Sequence, residues 1–412
     1  MISSPRAASR QIGTRAVPVA IVGAGPYGLS LAAHLSARGI ETQVFGSPMA
    51  AWSDHMPRGM HLKSEGFASS LSEPSGRFTL GAFCRERGIP YADVGTPVAL
   101  ETFVDYGREF ARRFVPALDE RRVVEIARDG EEFLVTSDDG ERLRAAYVVV
   151  AAGIGYFAYL PPELRTLDDE LLSHSSRYGD WSHLAGQPVA VIGGGSSAVD
   201  VALSLHGAGA APELFARCAS LRFHEPPDLD RGLLRSLIFP RSGIGNTWRA
   251  YVGAEYPDAI YALPQRLRLR IVRRTLGPAP CWFTKEPFSK SVPAHLGRRL
   301  ERAVRGPDVA VLTFVDAKGR REERSFDHVV AATGYRVDLA RLAFLGSLRA
   351  SLATTGGSPR LSRTFESSLE GLYFVGLAAA ASFGPVQRFA YGASFAVRRV
   401  AGALAALQHA RR

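Results

Sequence analysis

The chain is short of cysteine. Its three cysteines, Cys84, Cys218 and Cys281, stand far apart in 412 residues, with no C-x-x-C pair. That excludes a dithiol redox centre and a cysteine zinc site within the chain, and it fits a reducing, cytoplasmic setting. No H-E-x-x-H or other paired-histidine spacing is present, so no metal is expected. A hydrolase elbow is missing too, because Gly194 to Ala198 reads G-G-S-S-A rather than G-x-S-x-G. Residues 1–16 lack the apolar core of a secretory signal and read as a frayed N-terminal arm. One uncharged stretch, Ala145 to Pro162, is long enough to suggest a membrane helix. However, Val148, Val149 and Val150 are β-branched, Gly153 and Gly155 follow, and Pro161 and Pro162 close it. It reads as a buried strand and a glycine turn, and no membrane span is expected.

Lysine is also scarce. Of 50 basic residues all but four are arginine, and against 40 acids they leave a formal charge of +10. Such a surplus favours phosphates, but it is spread along the chain and no zinc-finger or RNA-recognition signature accompanies it, so no nucleic-acid partner is expected. At 46% hydrophobic and 22% charged residues the composition is that of a globular protein. The length suits roughly two to three domains.

Two segments share one grammar. Val19 to Val22 is a short apolar run, followed by Gly23-x-Gly25-x-x-Gly28 and a helical period to Leu35. Val189 to Ile192 is followed by Gly193-x-Gly195-x-x-Ala198 and a similar period to Leu205. Each predicts a strand, a glycine turn and a helix, and a further strand follows at Glu41–Phe45 and at Glu213–Ala216. Between the two units the pattern predicts a helix over 101–114 and a hairpin over 123–149, turning at Asp138-Asp139-Gly140. A second strand-turn-strand pattern spans 309–330. Residues 226–292, rich in Arg, Pro and aromatics, read as a helical insertion. Within it, Gln265 to Arg274 is basic and amphipathic; a solvated face of the insertion is the favoured reading, and a membrane-surface helix stays open.

Each glycine has a task. The first makes the tight turn, the second lets the backbone approach a pyrophosphate, and the third lets helix and strand pack closely. The helix N-terminus then offers free N–H groups to the phosphates. The residue closing the second strand of each unit selects the ribose partner. In the second unit that place falls on Arg217, which suits the 2′-phosphate of NADPH, although an arginine pointing to solvent is the plainer alternative, and NADH stays open. In the first unit it falls on Gly46 and Ser47, where an acid is usual, leaving Ser47, backbone or water for the ribose. Two dinucleotide sites in one chain point to a bound FAD reduced by a diffusing pyridine nucleotide.

The motifs resemble the class B flavin-containing monooxygenases, and most nearly their microbial N-hydroxylating branch of ornithine and lysine N-monooxygenases. The resemblance runs through Gly23–Leu29, Trp52, Met60–Pro74, Pro97–Tyr106, His174–Tyr178, the second glycine turn, Asp327, Ala332–Tyr335 and Leu372–Gly376. It covers nearly the whole chain in order. It implies an α/β fold of two Rossmann-like dinucleotide-binding domains, an FAD domain (17–165 and 325–408) with an NADPH domain (166–324) inserted. It also implies an FAD- and NADPH-dependent monooxygenase that forms a flavin C4a-hydroperoxide and oxygenates a small nucleophile, with molecular oxygen as co-substrate. An amine nitrogen is favoured, with a thioether or a purine-like ring left open.

The departures are specific. A glutamine beside the flavin is replaced by His61, the lysine that holds an amino-acid carboxylate falls on Gly66, the residue before Ala332–Tyr335 is Ala331, and the F-x-G-x-x-x-H fingerprint is absent, with Asp168 and Glu170 in its place. Ornithine, lysine and ketones are therefore not carried over as substrates. His61 is the candidate catalytic residue. Gly23, Gly25, Pro26, Gly28, Ser47, Trp52, Lys63, Gly376 and Gly384 are candidates for FAD. Gly193, Gly195, Ser196, Ser197, Arg217, Gly334 and Tyr335 are candidates for NADPH. Ser64, Arg388 and Phe389 are candidates for substrate, with a helix start at Pro385 as the competing reading of the last segment. His174 and Tyr178 are expected to shape the interdomain linker. Two other functions remain open: a reductase passing electrons to a protein partner, and a non-catalytic nucleotide binder. A homo-oligomer is left open as well.

Overall fold

The computed structural model describes residues 15–177, 180–275, 277 and 279–411; Tyr178 and the first fourteen residues of the expected arm lie outside them. Strand β1 (Arg15–Val22) is apolar and β-branched, and Val19, Ala20 and Ile21 are wholly buried. Helix α1 (Pro26–Ser36) has Pro26 in its first turn, where a missing N–H costs nothing. Strand β2 (Thr42–Phe45) completes the first unit. Three helices follow: α2 (Ala50–Ser53), α3 (Leu80–Arg87) and α4 (Leu100–Phe114). Helix α4 buries Leu100, Phe103, Val104, Gly107, Phe110 and Ala111, the three-and-four spacing of one helical face. Strands β3 (Leu118–Asp119), β4 (Val123–Asp129), β5 (Glu132–Ser137) and β6 (Arg142–Val150) come next. The uncharged stretch from Ala145 is the end of β6 and the turns after it. Val148 to Val150 are buried as a strand with parallel neighbours on both sides should be.

The second unit runs through β7 (Leu172–His174), β8 (Pro188–Ile192), α5 (Ser196–Gly207) and β9 (Ala211–Ala216). Five helices occupy the expected insertion: α6 (Leu233–Ile238), α7 (Trp248–Glu255), α8 (Pro257–Ala262), α9 (Gln265–Arg274) and α10 (Lys285–Ser291). The chain returns through β10 (Ala294–Leu296), the meander β11 (Arg299–Arg305), β12 (Ala310–Val315) and β13 (Arg321–Phe326), and β14 (His328–Ala331). It ends with α11 (Leu348–Ser351), the small hairpin β15 (Thr354–Thr355) and β16 (Ser358–Pro359), β17 (Leu372–Phe374), α12 (Ala380–Phe383) and α13 (Ala393–Arg411).

The first sheet has the order β3-β2-β1-β6-β5-β4, and β17 pairs with β6 in parallel, Leu372 to Phe374 against Val148 to Val150. The second sheet, β10-β9-β8-β14-β7, is parallel throughout. The fold is thus mixed α/β with two Rossmann-like sheets. The first sheet draws strands from both ends of the chain, while the second uses the middle. Both glycine turns sit at the carboxyl ends of their strands, where open α/β sheets take their ligands. Among the described residues, no helix is long and apolar enough to cross a membrane.

Candidate active site

The first turn is built so tightly that only glycine fits at two of its three places. A Cβ on Gly23 would lie 2.3 Å from the Ala151 carbonyl oxygen, and one on Gly28 would lie 1.8 Å from that of Gly23. Gly23 also takes φ +118° and donates its N–H to the Phe45 carbonyl at 2.9 Å, tying the end of β1 to the end of β2. Gly25 differs: nothing lies within 4 Å of its missing side chain. It caps α1 with no side-chain hydrogen bond and no acid in the first turn. An open, uncapped helix N-terminus with room for a ligand at Gly25 fits a pyrophosphate. Ser47 is exposed just beyond β2, and the preceding Gly46 has φ +109°, a backbone unsuited to the usual acid. Trp52 packs edge-on to Phe103 at 4.9 Å.

The chain's last third returns to this turn. Gly376, at φ +70°, packs against the Tyr27 ring, and the Tyr27 hydroxyl donates to the Phe389 carbonyl at 3.0 Å. Gly384 packs against Ile260 of α8, with Pro385 opening a short 3₁₀ turn as the competing reading expects. Arg388 is already committed. Its guanidinium donates to the carbonyls of Thr275 at 2.6 Å and Val272 at 3.1 Å, closing the C-terminus of α9. Its neighbour Phe389 is half-buried.

The second turn repeats the first. A Cβ on Gly193 would lie 2.3 Å from the Ala332 carbonyl oxygen, Gly195 has open space, and α5 begins without a side-chain cap or an acid in its first turn. Ser197 is half-buried, and Arg217 is exposed immediately after β9, where a ribose phosphate would come. The Gly334 carbonyl accepts from the Tyr159 N–H at 2.9 Å and faces His174 Nε2 at 3.1 Å. Because the Ser176 N–H points at Nδ1, the proton belongs on Nε2, and His174 is neutral, its pKa lowered to about 4 by burial. The Tyr335 ring stands edge-on to His174 at 5.4 Å.

A cluster that the sequence hid ties the segment after the first unit to the helix of the second turn. Lys63 Nζ donates to Asp200 Oδ1 at 2.9 Å and to the His61 carbonyl at 2.9 Å, with both charged side chains almost wholly buried. The other Asp200 oxygen accepts from the Ser196 hydroxyl at 3.0 Å. Lys63 comes from the segment after the first unit, whereas Asp200 and Ser196 stand in the first turns of α5, so a buried ion pair joins the two units. Burial raises the Asp200 carboxyl above its ordinary range, and Lys63 pulls it back. Lys63 is thus spent on the second unit's helix. The His61 ring lies edge-on to Phe283 at 5.3 Å. Cys281, its thiol pushed up to about 11 by burial, donates weakly to the Leu62 carbonyl, and the His224 N–H donates to the Pro280 carbonyl at 2.8 Å. The insertion therefore leaves and rejoins the body beside this cluster.

Ser64 accepts from Ser69 Oγ at 3.1 Å. At Gly66 a Cβ would lie 2.5 Å from the Ala92 carbonyl oxygen and 2.8 Å from the Tyr91 ring, so no lysine could stand there without moving the backbone. Asp200, Phe283 and His224 were missed by sequence reasoning. An acid in the apolar period of α5 was the one available signal for any of them.

Residues 20–230 match the family model described as pyridine nucleotide-disulphide oxidoreductase. The chain belongs to that family. All three cysteines are free, so the family's disulphide chemistry has no intrachain pair here. Ferredoxin--NADP reductase 1 of Cupriavidus taiwanensis is 40% identical over 95 residues, 22% of this chain and 26% of that protein. The rice (Oryza sativa subsp. japonica) indole-3-pyruvate monooxygenase YUCCA1 is 30% identical over 208 residues, 48% of this chain and 47% of that protein. The chain thus spans about a quarter to a half of these curated relatives. Among solved structures, the ornithine N-hydroxylase of Kutzneria sp. 744, with reduced FAD, NADP⁺ and L-ornithine, superposes with TM-score 0.75 at 17% identity, covering 95% of this chain and all of that one. At that identity the likeness shows the fold.

Proposed function

We propose that the chain is a flavin-dependent monooxygenase that uses FAD, NADPH and molecular oxygen to hydroxylate a small nucleophile, an amine nitrogen foremost. The observation that carries this reading is the repetition in one chain of an uncapped helix N-terminus with an open glycine, with the buried Lys63–Asp200 pair tying the segment after the first unit to the second of these helices. Gly23, Gly25, Pro26, Gly28 and Ser47 would hold the FAD dinucleotide, with Trp52, Gly376 and Gly384 in the same unit (17–165 and 325–408). Gly193, Gly195, Ser196 and Ser197 would hold the NADPH pyrophosphate, and Arg217 its 2′-phosphate, in the unit 166–324. When bound, the flavin accepts a hydride from NADPH and activates oxygen for transfer.

The chain's own residues orient and enclose. Lys63 and Asp200 fix α5 against the segment carrying His61. His61 and Phe283 form a wall on the substrate side. Tyr335 and the neutral His174 hold the crossover between the units. Exclusion of water at such a junction protects a reactive oxidant. The crowding at Gly66 favours a substrate that does not present an amino-acid carboxylate there. We place the enzyme in the cytoplasm.

The test is NADPH oxidation by FAD-loaded protein in air, with hydrogen peroxide counted against NADPH across amines, thioethers and purines. One compound that raises turnover and lowers the peroxide fraction supports the reading. Peroxide that tracks NADPH with every compound, together with rapid reduction of an added ferredoxin, would favour the second reading, a reductase serving a protein partner. That reading rests on the ferredoxin--NADP reductases among the relatives.

A further inference from the structure

Helix α9 carries charge that nothing in the fold balances. Arg266, Arg270, Arg273 and Arg274 are exposed, and none has an ion pair among the described residues. Elsewhere arginines meet acids: Arg113 meets Glu86, Arg121 meets Asp119, and Arg399 meets Asp258. No acid occurs between Asp258 and Glu286. Positions 266, 270, 273 and 274 share one side of the helix, about 6 Å apart along the axis for each i, i+4 step, and like charges at that spacing oppose helix formation.

Arginines late in a helix commonly serve its own C-terminal carbonyls. Here that role is filled by Arg388, which reaches over from the segment after α12. The helix is also held rigidly. Val272 is buried, and Arg268 donates to the Ser382 carbonyl. The four free guanidiniums and Leu269 line a groove of about 480 Å³. Beside the helix lies the β15–β16 turn, where Gly356 at φ +57° brings bare backbone up to Arg273 and Leu269.

We propose that this groove binds a ligand with clustered phosphate groups, at a site separate from both dinucleotide turns. A phosphate group offers three acceptor oxygens and more than one charge, enough to engage several guanidinium forks at once, whereas a carboxylate fills one fork. A soluble oligophosphate presents such phosphates in one molecule, and a bilayer of acidic phospholipids presents singly charged phosphodiesters side by side. The experiment separates the two sources.

FAD-loaded full-length protein, saturated with NADP⁺ so that the second glycine turn is filled, is titrated with inorganic tripolyphosphate. In parallel it is sedimented with phosphatidylcholine vesicles with and without phosphatidylglycerol. Each measurement is repeated on Arg266→Gln/Arg270→Gln/Arg273→Gln/Arg274→Gln, which removes like-charge repulsion and keeps the helix. Arg270→Gln alone should weaken binding by about three- to tenfold, and the quadruple variant by about a hundredfold or more, with NADPH oxidation unchanged. The corresponding lysine variants, which retain charge without the fork, should fall between. Tripolyphosphate binding lost in the variant identifies a soluble ligand; vesicle binding lost in the variant, without tripolyphosphate binding, identifies a lipid surface. The proposal is overturned if neither probe binds, if the quadruple variant binds as well as the parent, or if polyglutamate binds as tightly as tripolyphosphate, which would mark a docking face for an acidic protein.

Discussion

Replacing Lys63 with methionine should reveal what the buried ion pair does. At 2.9 Å, and with the effective dielectric near 20 that suits such sites, the attraction between Lys63 and Asp200 is ~6 kcal/mol. Desolvation of each ion costs several kcal/mol, so the pair is close to neutral overall. Removing one partner is different, because it leaves Asp200 buried with only the Ser196 hydroxyl and costs about 3–5 kcal/mol. Against the ~5–15 kcal/mol by which native proteins are stable, that is a large fraction. Lys63→Met should therefore lower the urea midpoint strongly. The double variant Lys63→Met/Asp200→Leu should recover to within about 2 kcal/mol of the parent, the residue being the orphaned Ser196 and His61 groups. Since burial already holds the Asp200 carboxyl above its usual range, the single variant's deficit should shrink as the pH falls and the acid takes up its proton. NADP⁺ affinity, read by fluorescence titration, should fall in the single variant, because Ser196 opens α5. If Lys63→Met melts like the parent, or the double variant is no better than the single, then the pair is solvated and does not join the units.

The glycine turn can be dissected with two methyl groups. Gly28→Ala should fail to fold or lose about 3 kcal/mol or more, since its Cβ would overlap the Gly23 carbonyl. Gly25→Ala should fold normally yet purify with less flavin, read from the visible absorbance per chain. Arg217→Ala should raise the KM for NADPH about tenfold or more while leaving that for NADH unchanged; equal effects on both would remove Arg217 from the 2′-phosphate. His174 and His34 both have folded pKa values lowered to about 4 by burial. The unfolded chain therefore takes up protons that the native state refuses: stability is full above about pH 6.5 and falls as the pH drops toward 4. His174→Gln should flatten part of that limb in melting curves taken from pH 7.5 to 4.5.

The βαβ grammar was legible because it is local. Val19 to Leu35 and Val189 to Leu205 carry strand, turn and helix within one short window, and the glycines declare their own crowding. The helical insertion and the Asp138–Gly140 hairpin turn were legible for the same reason. The junction was not. Lys63 and Asp200 are 137 residues apart, and nothing near either names the other. Lys63, offered for FAD by its segment, pairs with an acid of the other unit's helix. Arg388 is a substrate candidate by its segment, and nothing in the sequence tells that its guanidinium closes α9. Gly66 was visible as a departure, while the reason a side chain is barred, the Tyr91 ring and the Ala92 carbonyl, appears only when the chain is folded.

The pairing of β17 with β6 has a consequence for how the protein is made. The strand that completes the first sheet is separated from its partner by the whole second unit, and α13, which packs on α1, comes later still. On a ribosome, β1 to β6 emerge first yet must wait, with β6 paired to β1 and β5 but open along Val148–Val150 where β17 belongs, while the middle of the chain folds on its own sheet. Contacts of such high sequence separation form slowly, and an open apolar strand edge invites association with other chains during the delay. The early half of this protein should therefore need a chaperone more than the late half, and truncation before Leu372 should yield an insoluble chain even though both glycine turns are intact.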